Sequence, residues 1–147
     1  MKRIFTLLCF VCCLAFAVQA YAAFQVFGPD FARFKVDVPD GWKASPNQGG
    51  CQIDSADETS SVSIQMQKAG GKTAAEFAAA IAKNLPYKVV SIEKENDTQC
   101  IIYAEPEKGV RMAIMCMVMD DSFLAITMAG RDTDTMKAII NSIDDAK

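Results

Sequence analysis

The segment from Val110 to Met119 constrains the fold most, because it is an almost uninterrupted apolar run of strand length between two turn signals. Residues 106–109 (Pro-Glu-Lys-Gly) precede it and residues 120–122 (Asp-Asp-Ser) follow it. Short turns join antiparallel strands, whereas parallel neighbours need a long crossover. A strand that is apolar on both faces is typical of the middle of a sheet that is covered on both sides. The run therefore predicts a central, doubly covered strand of an antiparallel sheet.

Apolar and polar periodicity predicts the remaining elements. Two-residue alternation and turn signals place strands at residues 31–38, 51–54, 62–66, 87–93, 98–104 and 123–128. Thr73 and Glu76 form a capping box that opens a helix, and Pro86 ends it. Asp132 is a cap candidate for a second helix with an apolar stripe over residues 136–143. The order β-β-β-α-β-β-β-β-α predicts an α+β fold, a central, mainly antiparallel sheet flanked by helices.

Residues 1–22 have the three parts of a cleavable signal peptide. Lys2 and Arg3 precede an apolar run at residues 4–18, and small residues end at Ala22, with cleavage after Ala20 as the alternative. The run is shorter than the roughly 20 apolar residues of a transmembrane helix. Cys13 lacks the small-residue triplet that usually precedes a lipid-modified cysteine, so we expect the leader cysteines to be removed with the leader.

The leader determines the expected domain and location. Residues 23–147 are predicted to form a single α+β domain that is periplasmic or secreted and is not inserted in a membrane after cleavage. Loss of Lys2 and Arg3 moves the formal net charge from −3 to about −5. A mildly acidic chain without a basic stripe is a poor candidate for nucleic-acid binding, so we expect no nucleic-acid partner.

Three cysteines remain after cleavage, namely Cys51, Cys100 and Cys116. Export permits disulfides, but an odd number leaves at least one thiol unless chains pair with each other. Cys100 and Cys116 lie on opposite arms of a predicted hairpin and are the disulfide candidate. A register shift of one residue would put them on opposite faces of the sheet, and buried free thiols are the alternative.

The chain contains no histidine. This composition excludes Ser-His-Asp and Cys-His catalysis and His-ligated zinc or haem. Nucleophile-elbow, phosphate-loop and dinucleotide motifs do not occur either. Acidic residues cluster in polar turns and helix starts, where solvated carboxylates are ordinary; they are Asp54, Asp57, Glu58, Asp120, Asp121, Asp132 and Asp134. An acid-only hydrolase would need two carboxyls facing each other about 5 to 10 Å apart. We predict a protein that is not an enzyme and has no cofactor.

Met115, Met117 and Met119 are the one unusual group, because on a strand all three project from the same face. Thioethers are ligands that suit Cu(I), and an exported protein can meet copper. Methionine is also a common filler beneath a helix. The pattern leaves three interpretations open: core packing, a Cu(I) site and a groove for an apolar ligand or partner.

Two short motifs and the element order resemble the PsbP-like α/β/α sandwich superfamily. Residues 34–42 (Phe-Lys-Val-Asp-Val-Pro-Asp-Gly-Trp) resemble its opening strand, which ends in Pro-x-Gly-Trp, and residues 136–143 resemble its closing helix. The superfamily includes an accessory protein of photosystem II and periplasmic DcrB-type proteins. The resemblance implies a fold used for binding and accessory roles without a shared catalytic site, and no functional residues carry over.

These observations favour a non-enzymatic exported binding or accessory protein. We expect it to dock a protein partner or peptide through a sheet edge or a rim formed by loops and a helix. The alternatives are a carrier of a small apolar ligand or Cu(I) that uses the methionine face, and an acid-only hydrolase.

Overall fold

The computed structural model describes residues 23–146, so the predicted leader at residues 1–22 lies outside the described part of the chain. The elements, in chain order, are β1 (Ala23–Phe27), β2 (Phe34–Val38), β3 (Trp42–Asn47), β4 (Gly50–Ser55), β5 (Ser60–Lys68), α1 (Ala74–Asn84), β6 (Lys88–Asn96), β7 (Gln99–Glu107), β8 (Val110–Met119), β9 (Ser122–Gly130), α2 (Thr133–Asn141) and β10 (Asp144–Asp145). Neither helix of residues 23–146 is long and apolar enough to cross a membrane.

Seven strands form one sheet in the order β3-β4-β5-β9-β8-β7-β6, and every neighbouring pair is antiparallel. A smaller antiparallel sheet has the order β1-β2-β10. The two helices lie on opposite faces of the large sheet, because they pack against two separate hydrophobic cores. The predicted α+β class, a central antiparallel sheet flanked by helices, is confirmed.

The two faces of the large sheet are covered over different halves. On the first face, β2 and α2 cover β4, β5 and β9, with Phe34, Ile64 and Ile139 in the buried core. On the second face, α1 covers β7, β8 and β9. Phe77 of α1 stacks on Phe123 of β9 with ring centroids 3.7 Å apart. The cores are therefore offset across the sheet, and part of each face stays uncovered.

Both helix starts follow the predicted local chemistry. The Thr73 N–H donates to the Glu76 carboxylate at 2.8 Å, and the Glu76 N–H donates to the Thr73 hydroxyl oxygen at 3.2 Å. The Asp132 carboxylate accepts from the Thr135 N–H at 3.1 Å. Both predicted caps are confirmed.

Three strands were not predicted, namely β1, β3 and β10. The sequence of β3 lacks clear alternation and contains Pro46, which a sheet tolerates at an edge because the ring nitrogen has no hydrogen to donate. β10 has only two residues and depends on pairing with β2. The first predicted strand also begins too early, since β2 starts at Phe34.

The prediction that β8 is covered on both faces is wrong for one face. Ile114 and Cys116 are buried beneath α1. On the other face, Met115 and Met117 are only half-buried, and Met119 is 50% exposed. The reason is that α2 packs against β2, β5 and β9 and stops short of β8.

Candidate functional site

Two hollows lie on the uncovered parts of the large sheet, one on each face. The first, which we call the α1 groove, is bounded by α1, the β3–β4 turn and the loop between β1 and β2. The second, which we call the Met pocket, lies between β8 and the C-terminal end of α2. Both sites bring together residues that are far apart in the sequence.

The α1 groove has a volume of about 920 Å³. Its helical wall is apolar and carries Phe77, Ile81 and Leu85, which follow the i, i+4, i+8 spacing of one helix face. Gln65 and Gln67 of β5 lie on the floor, because they pair with Ala125 and Phe123 of β9 and share their face. The groove therefore combines an apolar wall with a floor of amide donors and acceptors.

Two lysines are the charged residues among those that line the α1 groove. The Lys68 Nζ lies 5.9 Å from the ring centroid of Phe31, and the Lys72 Nζ lies 5.8 Å from that of Phe77. The pKa of Glu76 is lowered, first by the hydrogen bonds from Thr73 and then by the nearby Lys72 charge. Glu76 therefore lies near Lys72 and offsets part of its charge.

Gly49 and Gly50 allow the β3–β4 turn to approach β5. The Met66 N–H donates to the Gly49 carbonyl at 2.9 Å. A Cβ atom at Gly50 would overlap the carbonyl oxygen of Ile64, so this position requires glycine. The turn that forms one side of the groove is therefore held by backbone contacts that a side chain would break.

The Met pocket has a volume of about 310 Å³ and opens to solvent. Met115, Met117 and Met119 line it, so the three methionines share one face as predicted. Met66 of β5 lines the same pocket. Its other lining residues come from β2, β9 and the end of α2 with β10, and are Phe34, Leu124, Ile126, Ile140, Ile143, Asp144 and Asp145.

The register of the strands explains how Met66 reaches this pocket. Met66 of β5 and Met117 of β8 are both paired with Leu124 of the strand between them. Met66 was predicted to lie on a strand but not to belong to the methionine group. Only the pairing of β5 with β9 reveals the proximity, because β5 and β9 are far apart in the sequence.

Two acidic residues are part of the lining of the Met pocket. The adjacent residues Asp144 and Asp145 of β10 line it, and the Lys35 Nζ lies 3.1 Å from the Asp144 carboxylate. Asp144 and Asp145 were not singled out from the sequence, because β10 is too short to be recognised by periodicity.

The three cysteines among residues 23–146 lie in the cores and line neither hollow. Cys100 and Cys116 are buried beneath α1, and Cys51 is buried on the opposite face; all three are free thiols. Burial raises the pKa of Cys51 to about 12. Burial and, second, the neighbouring Cys100 raise the pKa of Cys116 to about 11. At neutral pH Cys51 and Cys116 are therefore protonated, which makes them poor nucleophiles.

Several acidic side chains singled out from the sequence shape turns. The pKa of Asp57 is lowered, first by the Ser55 hydroxyl and then by the backbone N–H and the hydroxyl of Thr59. The Asp121 carboxylate accepts from the Gly70 N–H at 3.2 Å. Among residues 23–146, no group of three His, Cys, Asp or Glu side chains is placed to hold a metal ion.

Comparison with known proteins identifies the fold. Neither a protein-family model nor a curated protein sequence matches the chain. The solution structure of cyanobacterial PsbP (CyanoP) from Synechocystis sp. PCC 6803 is similar, with a TM-score of 0.55, 7% identity, and coverage of 88% of this chain and 96% of that one. A crystal structure from Bacteroides thetaiotaomicron VPI-5482 has a TM-score of 0.48 and 15% identity over 78% of this chain and 45% of that one, and adds nothing to the assignment. The fold is PsbP-like, as the sequence motifs indicate.

Proposed function

We propose that the chain is an exported, non-enzymatic accessory protein that binds an extended segment of a protein partner in the α1 groove. The chemistry of the groove carries this proposal, because an apolar wall beside amide side chains suits a polypeptide with both apolar side chains and polar backbone groups. The PsbP-like fold supports an accessory role, as does a chain without histidine.

The groove defines the kind of segment that fits. Apolar side chains of the partner pack against Phe77 and Ile81 of α1, while the Gln65 and Gln67 amides bond to its backbone. The two lysines at the groove favour an acidic residue in the partner. The partner segment is therefore apolar with at least one carboxylate.

Panning a displayed random-peptide library against the protein tests this function. We expect enriched peptides to combine apolar residues with an acidic residue and to bind the Ala79→Phe variant as well as the wild type. The Ala80→Phe variant should lose binding, because Ala80 lines the groove and a ring there fills it. Both alanines are exposed residues of α1, so the two variants are matched in helix propensity and solubility.

Three outcomes would contradict the proposed binding. The first is a library that gives no enriched sequence, and the second is a set of peptides that bind the Ala80→Phe variant as tightly as the wild type. The third is an NMR titration with an enriched peptide in which the amide chemical-shift changes of the protein are centred away from Gln65 and Gln67. Retained helical circular dichroism shows that the Ala80→Phe variant is folded.

Export is tested separately from binding. In the envelope fraction of expressing cells, we expect mass spectrometry to find a mature chain that begins at Ala23. A full-length chain, folded in the cytosol and unprocessed, would refute export without bearing on the groove.

A further inference from the structure

We propose that the Met pocket binds a soft monovalent cation, Cu(I) or its analogue Ag(I), through the thioether sulfurs of Met66, Met117 and one neighbour of Met117 on β8, Met115 or Met119. This site lies on the opposite face of the sheet from Gln65 and Gln67 of the α1 groove, but Met66 lines both hollows, so the variants that test the site are placed on β8.

The arrangement of the sulfur donors is the first support. Same-face residues on a strand are roughly 6.5 to 7 Å apart, and residues that flank a middle strand are about 9.5 Å apart. Met117 is therefore close to Met115 and Met119 along β8 and faces Met66 across Leu124. Three rotatable bonds let the sulfurs of Met66, Met117 and one β8 neighbour turn toward a shared centre, whereas Met115 and Met119 are about 13 to 14 Å apart and too distant to bind one ion together.

The open volume is the second support. A packed core would fill the space above β8, yet four of the eight methionines of the chain surround about 310 Å³. Met119 is 50% exposed, so a hydrated ion can reach the pocket. Thioethers are soft ligands that select Cu(I) over hard cations.

An acidic side chain beside the pocket is the third support. Thioethers are neutral, so the charge of a bound cation must be balanced by other groups. Asp145 pairs with the lining residue Phe34 and supplies one carboxylate on the pocket's side, whereas Asp144 pairs with Lys35, whose Nζ lies 3.1 Å from the Asp144 carboxylate. This field favours a cation and opposes an anionic ligand such as a fatty acid.

Methyl-resolved NMR of the folded protein tests the site. The protein is labelled with ¹³C-methyl methionine and titrated with silver nitrate in chloride-free buffer. We expect the ε-methyl resonances of the four pocket methionines to shift as silver is added and to stop shifting at one equivalent. Those of Met112 and Met128 should not shift, because Met112 lies on the other face and Met128 does not line the pocket.

Competition with a Cu(I)-specific chromophoric chelator gives the affinity. The double variant Met115→Leu/Met117→Leu keeps the volume of the side chains, and we expect it to bind at least about tenfold more weakly. Met112→Leu is the matched control and should bind like the wild type. Asp145→Asn should weaken binding about two- to threefold at low ionic strength, with a smaller effect in high salt.

The same experiments can overturn the proposal. If the metal bound to the cysteine thiols instead, the four methyl resonances would not shift, and this result would refute the site. An affinity unchanged in the double variant would also refute the site. Binding of a neutral apolar probe without any response to Ag(I) or Cu(I) would identify the pocket as an apolar-ligand site instead.

Discussion

Cys100 lies directly opposite Cys116 in the antiparallel pairing of β7 with β8, and both side chains are buried beneath α1. The Val118 N–H donates to the carbonyl of Thr98, the residue opposite it, at 2.9 Å, so these two residues form a hydrogen-bonded pair. Hydrogen-bonded and non-hydrogen-bonded pairs alternate along antiparallel strands, so Cys100 and Cys116, two residues further along, form a hydrogen-bonded pair as well. The Cα atoms of such a pair are about 5.5 Å apart, within the range that a disulfide spans. The register thus places the two thiols on the same face.

We predict that mild oxidation joins Cys100 to Cys116 and leaves Cys51 free. Two thiols lose their hydrogens while one glutathione disulfide is reduced to two glutathione molecules. In the chain without residues 1–22, a thiol count in denaturant should then fall from three to one, whereas Cys100→Ser in the same chain should give two thiols before and after oxidation. Three remaining thiols, or only mixed adducts with glutathione, would show that the pair does not close.

We predict that the free energy of unfolding falls in alkaline solution because Cys51 is buried as a neutral thiol. Burial raises its pKa from 9.0 to about 12. Its stabilising contribution is complete below pH 9.0 and is lost as the pH rises toward 12, since the unfolded state then binds fewer protons than the folded state. Between about pH 8.5 and about pH 10.5, the wild type should lose about 2 kcal/mol more than Cys51→Ala.

Urea unfolding at several pH values checks this difference. Lysine and tyrosine titrations are common to both proteins, so the comparison isolates Cys51. Cys51→Ala starts from a lower stability because it leaves a cavity. Parallel curves for the two proteins would contradict the prediction.

We predict that Ser60→Ala costs about 2 to 3 kcal/mol of unfolding free energy. The buried Ser60 hydroxyl oxygen accepts from the Arg131 N–H at 3.0 Å and the Asp132 N–H at 2.9 Å. Alanine leaves both donors without this partner at the corner between β9 and α2. Ser61→Ala on the opposite face should change stability by less than about 0.5 kcal/mol. Equal urea midpoints for the two variants would count against this role of Ser60.

We predict that Gly50→Ala is more damaging than Gly41→Ala. The methyl group at residue 50 overlaps the Ile64 carbonyl oxygen, so β4 must move away from β5, and we expect a loss of at least about 2 kcal/mol. Gly41 has open space around it but a φ of +79°, so alanine there should cost about 1 kcal/mol. Thermal unfolding of the two variants in parallel checks which one loses more stability. A smaller loss for Gly50→Ala would show that the turn can move enough to accommodate a methyl group.

Local sequence chemistry predicted the parts of the fold that depend on near neighbours. The caps at Thr73 and Asp132 need partners three residues away, and both form as expected. Alternation predicted the strands that are half-buried. It failed for β3 and β10, because an edge strand with Pro46 and a two-residue strand are defined by their pairing partners and not by their own pattern.

For the two candidate sites, the sequence determined which side chains share a face, and the tertiary structure decided what surrounds them. The period of two in a strand is enough to put Met115, Met117 and Met119 together. Whether a helix buries them depends on the position of α2 on the sheet, and this position is set by packing between residues far apart in the chain. The same long-range pairing brings Met66 to the pocket and Gln65 to the α1 groove, because β5 pairs with β9 across nearly half of the described chain.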